Sequence, residues 1–89
     1  MRKIKCMTLD KINIRPDQCR AARALLGWSR EQLAKKSKVS MATLADFEAG
    51  KRVPYDRTLA DILKALEQAG IVLISENGGG VGVRLRQKS

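Results

Sequence analysis

Cys6 and Cys19 are the two thiols of the 89-residue sequence, and no histidine accompanies them. Two cysteines fall short of the four ligands of a structural zinc site, and the missing imidazole removes the usual activator of a thiol or hydroxyl nucleophile. No cluster of paired carboxylates takes its place, so the residues predict no enzyme, no metal and no cofactor. Cys19 falls beside Ala22 and Leu26 at helical spacing and reads as a small buried hydrophobe. The chemistry that remains is that of charge. Lysine and arginine number 18 against 9 acidic residues, a formal net charge of +9, and such an excess attracts polyanions, nucleic acid first and an anionic membrane surface second. Arg30 gives the charge a place. It follows Ser29 in the first turn of a predicted helix, where free N–H groups and the helix dipole favour a phosphate. Ser40 opens a further predicted helix with a similar hydroxyl.

The elements that position these groups follow from three stretches of helical period, which stop at Gly27, Gly50 and Gly70. The first helix opens at Pro16 and is expected to turn Cys19, Ala22, Leu25 and Leu26 inward, with Arg20 and Arg23 facing water. Arg15 is a poor cap for it, so this start is expected to fray. Two start signals divide the next stretch. Ser29-Arg30-Glu31-Gln32 has the form of a capping box, with Trp28 and Leu33 as its hydrophobic staple, and Ser40 repeats the arrangement with Val39 and Leu44. The second helix then runs about Arg30 to Ser37 with Leu33 and Ala34 inward, and the third about Met41 to Ala49 with Leu44 and Phe47 inward. A fourth, from about Arg57 to Ala69 and capped by Asp56, places Leu59, Ile62, Leu63 and Leu66 on one stripe.

After Gly70 the period becomes that of strands. Ile71 to Ile74 and Val81 to Arg86 predict a β-hairpin around Asn77-Gly78-Gly79-Gly80. Residues 1–14 alternate weakly and are read as an N-terminal arm or short strand, residues 15–70 as the helical domain, and residues 71–89 as hairpin and tail. The longest apolar run, Ile71 to Ile74, is far short of the ~20 residues of a membrane span. The N-terminus also lacks the apolar block of a secretory signal, so a cytoplasmic protein with no membrane contact is expected.

Two short helices joined by Lys38, Val39 and Ser40 fit a helix-turn-helix, whose second helix enters the major groove of DNA, although an ordinary helical hairpin would need the same inward residues. Longer runs sharpen the reading: Gln18-Cys-Arg-Ala-Ala-Arg-Ala-Leu-Leu-Gly-Trp-Ser-Arg-Glu-Gln-Leu-Ala, then Val39-Ser-Met-Ala-Thr-Leu, then Asp46-Phe-Glu-Ala-Gly-Lys. Over about Pro16 to Gly70 the sequence resembles the phage-repressor/Cro-like (XRE) family of helix-turn-helix regulators. The tail from Ala69 resembles that of a bacterial subset of the family. The resemblance implies a mainly α, lambda-repressor-like domain of four to five helices, to which the C-terminal β-hairpin is added. It departs at Lys38, where the family commonly has glycine; a left-handed non-glycine there costs on the order of 1 kcal/mol.

By the family's pattern the outward positions of the third helix are Met41, Ala42, Thr43 and Asp46, which are expected to contact bases. Met41 and Ala42 suit thymine methyls, Thr43 a base or phosphate, and Asp46 cytosine N4, unless Asp46 instead pairs with a neighbouring Lys or Arg. Phosphate contacts are expected from Arg30, Ser40, Lys51 and Arg52, the last two lying where related domains place backbone contacts. Lys35, Lys36 and Lys38 read as plain solvated charges. The resemblance thus implies a sequence-specific regulator of transcription that binds double-stranded DNA, expected to be a repressor acting as a homodimer on a palindromic operator. An antitoxin-like or adaptor subunit with a protein partner is the alternative, favoured by the apolar strand material outside the helix-turn-helix. The homodimer contact is expected after Gly70, since an isolated two-stranded hairpin is marginal in water.

Overall fold

Pro16 opens α1 (Pro16–Leu26) in the computed structural model, whose description covers residues 14–75 and 78–86. The chain continues through α2 (Arg30–Ser37), the turn Lys38–Ser40 and α3 (Met41–Glu48). A loop then leads to α4 (Asp56–Gln68) and to the antiparallel strands β1 (Ile71–Ile74) and β2 (Gly82–Leu85). The strand register pairs Ile71 with Leu85 and Ile74 with Gly82. This is the mainly helical architecture with a C-terminal hairpin that the sequence predicts. Of the predicted arm or strand at residues 1–14, only Ile14, which is buried, is among the described residues; Cys6 and Asn77 lie outside them. No helix among the described residues is long and apolar enough to cross a membrane.

The local signals act where they were read, with two corrections. At α2 the Ser29 hydroxyl accepts from Gln32 N at 3.1 Å while the Gln32 carboxamide oxygen accepts from Ser29 N at 2.8 Å, completing the capping box. Ser40 caps α3 by accepting from Thr43 N at 3.1 Å. Asp56, however, is the first residue of α4 rather than its cap; Tyr55 holds the cap position and makes no side-chain bond. The Asp56 carboxylate there complements the helix dipole instead of satisfying one N–H. The start of α1 does not depend on Arg15 either. Gln18, 3% exposed, accepts from Arg15 N at 2.9 Å and donates from its amide nitrogen to Ile74 O at 3.2 Å and Gly82 O at 2.9 Å. One buried carboxamide thus closes the helix start and ties it to both strands, replacing the expected fraying with a tertiary cap.

Lys38 sits in the left-handed region at φ 62°, its N–H donating to Ala34 O at 2.8 Å, so the turn tolerates a residue that lacks glycine's freedom. Lys38→Gly is expected to raise stability by up to about 1 kcal/mol in urea unfolding, the cost of the left-handed backbone being relieved. A midpoint that fails to rise would show that the strain is absorbed elsewhere.

The core lies between the four helices and β1. Leu33, Leu44, Ile62, Leu66 and Ile71 are all buried, with Cys19, Ala22, Phe47 and Leu59 around them, and Ala34 packs against this cluster. Each such aliphatic side chain contributes roughly 1.5–3 kcal/mol by leaving water. The α4 stripe is Leu59, Ile62, Ala65 and Leu66; Leu63, predicted inward, is half-buried and lines an open groove with Ile14, Val53 and Leu73. Leu25 is another correction. It is 47% exposed, seven residues beyond Gln18 on the same side of α1.

Candidate nucleic-acid interface

α3 divides its residues cleanly between core and surface. Leu44 and Phe47 are buried beneath it, whereas Met41 is 47% exposed, Ala42 is exposed, and Thr43 and Asp46 are half-buried on its open side. The Ser40 hydroxyl donates to Thr43 Oγ1 at 2.9 Å, which leaves the threonine O–H available as a donor. Gly50, in the left-handed conformation at φ 76°, ends the helix: its N–H donates to Phe47 O at 3.0 Å and Lys51 N donates to Asp46 O at 2.8 Å. This closure turns the chain back along α3 and brings Arg52 Nη1 to 3.9 Å from Asp46 Oδ2. Both groups are about half exposed, so the attraction is weak and each remains open to another partner. Ser40, Lys51 and Arg52 are exposed, and Arg30 begins α2 with its side chain 41% exposed. The four residues expected to touch bases and the four expected to touch phosphate therefore lie on α3, at its two ends, and at the N-terminus of α2.

A group that the sequence reading passed over links these parts. Glu48, the last residue of α3, has a side chain only 1% exposed, yet it is charged and fully bonded. Arg23 grips it with two parallel bonds, Nε to Oε2 at 2.8 Å and Nη2 to Oε1 at 2.8 Å. Arg30 Nε adds a bond to Oε1 at 3.1 Å, and the Cys19 thiol adds one to Oε2 at 3.1 Å. Arg20 Nη1 donates to the Glu48 backbone oxygen, and Arg23 Nη1 donates to Trp28 O at 3.2 Å. Arg23 is therefore not a solvent-facing charge, and Cys19 is a donor as well as a buried apolar group. Burial pushes the Glu48 carboxyl up, but the hydrogen bonds from Arg23, Cys19 and Arg30 together outweigh it and hold the group below the usual carboxylate range. Burial, followed by the bond and charge of Glu48, pushes the Cys19 thiol far up, so it stays protonated and donating.

These directions set a pH dependence. A carboxyl whose pKa is lower in the folded than in the unfolded chain contributes stability that is complete above the unfolded value, near 4.5, and lost as the pH falls through the folded value. Urea midpoints are expected to hold from neutral pH to about 5 and to fall below about 4.5. Glu48→Gln should flatten part of that fall; an identical acid profile in the variant would remove Glu48 from the account.

Spacing holds a signal for the missed cluster. Glu48 follows Leu44 by four residues on the buried stripe of α3, and Arg23 follows Cys19 by four on that of α1. A charge on a core-facing stripe needs a partner. The family model described as Helix-turn-helix matches residues 20–68, from Arg20 in α1 to the last residue of α4. No curated protein matches the chain.

Proposed function

The chain belongs to the Cro/repressor-like (XRE) helix-turn-helix family of DNA-binding transcription regulators, and on that premise we propose that it is a cytoplasmic repressor that binds a palindromic operator as a homodimer. The open side of α3 carries the reading, because the helix is anchored through Leu44 and Phe47 while Met41, Ala42, Thr43 and Asp46 face away from the core. In the major groove Met41 and Ala42 pack on thymine methyls, the Thr43 hydroxyl donates to an acceptor, and Asp46 accepts from cytosine N4. Arg30, Lys51 and Arg52 contact phosphates on either side and fix the register, and Ser40 adds a contact when its hydroxyl turns from Thr43 to a phosphate. The family is one of DNA-binding domains rather than of enzymes.

The dimer contact is assigned to the hairpin. Among the described residues β1 and β2 pair only with each other, and a second copy related by a two-fold axis would present two α3 helices about 34 Å apart. Light scattering on the full chain at micromolar concentration should give twice the 9.9 kDa chain mass, and a monomer would remove the dimer.

Selection of duplexes from a random pool tests the whole reading. The wild-type chain should enrich a two-fold symmetric sequence. A variant carrying Met41→Gln, Ala42→Ser, Thr43→Asn and Asp46→Ala should lose that preference while staying folded, each good base contact being worth roughly 1–3 kcal/mol of discrimination. An unchanged preference would refute the base-contact assignment, and no enrichment by the wild-type chain would refute sequence-specific binding.

A further inference from the structure

Arg30 has two faces. Its Nε is committed to Glu48 Oε1 at 3.1 Å, and its terminal nitrogens make no hydrogen bond among the described residues, although the side chain is 41% exposed at the start of α2. An arginine carries five N–H donors, so about four remain for a ligand. The carboxylate that holds it is itself held: both Glu48 oxygens accept from Arg23, and Arg23 donates in turn to Trp28 O. A long side chain is thereby anchored by one edge to a buried, multiply bonded carboxylate, with its other edges left to solvent.

We propose that Glu48 is a positioning residue for DNA binding: it orients the Arg30 guanidinium before a phosphate arrives, so that Arg30 bridges the core carboxylate and the DNA backbone. The proposal rests on the reading of Arg30 as a phosphate contact. Two arginine side chains meet one carboxylate, so local positive charge is left over, and a phosphate at the outer edge of Arg30 completes the balance. Fixing the side chain beforehand removes an ordering cost from the binding step. Lysine in its place keeps the charge but is a point donor on a flexible stem, and cannot hold Glu48 and a phosphate through separate edges.

Anisotropy titrations of one labelled mixed-sequence DNA duplex at fixed low salt, on the full chain, provide the test. Arg30→Lys should weaken binding by about 2- to 12-fold, the range for losing one prearranged side chain, with the salt slope unchanged because the charge is kept. Glu48→Gln should weaken binding to a similar degree when Arg30 is present and leave it unchanged in an Arg30→Ala background, while lowering the melting temperature in both through its bonds with Arg23. That pattern separates positioning from mere structural support, which would lower binding in both backgrounds. Should Glu48→Gln fail to fold, Arg30→Lys against the wild type decides alone. Wild-type binding with Arg30→Lys unimpaired, or a Glu48→Gln loss that persists without Arg30, overturns the positioning role. A wild-type chain that binds no duplex overturns the functional reading itself, and this role with it.

Discussion

Glu48→Ala is expected to bring the domain close to its unfolding midpoint at room temperature. The substitution leaves the Arg23 guanidinium, whose side chain is only 17% exposed, without its two-bond partner, and it strands the Cys19 thiol and Arg30 Nε as well. Breaking a buried pair by removing one member costs about 3–5 kcal/mol, because the other charge is left desolvated. Domains as a class hold only about 5–15 kcal/mol in total, with small ones near the lower end. Circular dichroism should show a melt shifted far down or already in progress at 25 °C. Arg23→Ala should behave alike. Replacing both together, as Arg23→Met with Glu48→Leu, should cost less than the two single losses combined, since no charge is left unpaired. A Glu48→Ala chain melting within a few degrees of the wild type would show that water reaches the cluster and that its bonds contribute little.

Affinity for a mixed-sequence duplex is expected to drop roughly a thousandfold between 50 and 200 mM salt if the proposed dimer neutralises about six phosphates, each adding about −0.9 to the logarithmic slope. Six is the number that the proposed phosphate contacts Arg30, Lys51 and Arg52 would supply in two copies. Lys51 and Arg52 are exposed, and the 3.9 Å contact of Arg52 with Asp46 is too weak to withdraw it from the count. Lys51→Ala should make the slope shallower by about two units per dimer and weaken all sequences alike. A flat titration would mean that the +9 charge never meets a phosphate.

The parts of this molecule that were legible in its residues are those governed by near neighbours. The Ser29 box, the Ser40 cap and the α2–α3 spacing depend on residues within four positions of each other, and the structure has all three, while the left-handed Lys38 followed from the resemblance. The hairpin followed from a change of period at Gly70. What escaped were polar side chains bonded across the fold. Gln18 reaches strands more than fifty residues away, and Glu48 collects donors from α1 and α2. Neither pairing has a local pattern, because each is fixed only once the helices have docked. Leu25 and Leu63 show the converse: periodicity assigns a face, but the extent of the neighbouring element decides whether that face is covered.

The bond from Gln18 to Gly82 spans 64 positions of sequence, and that interval is also one of time. At about 5–20 residues per second of synthesis, residue 82 is made some 3–13 s after residue 18. Until Ile74 is made, 56 positions after it, the Gln18 carboxamide has no strand to receive its N–H, and until Gly82 follows the inner side of α1 has no hairpin to lie against. Helix–helix packing forms early because its contacts are close in sequence, whereas this closure must wait for the chain to lengthen. A ribosome that stalls between the two positions therefore carries a nascent chain whose first helix lacks the closure that Gln18 gives it, and proteases would find α1 less protected than in the finished domain.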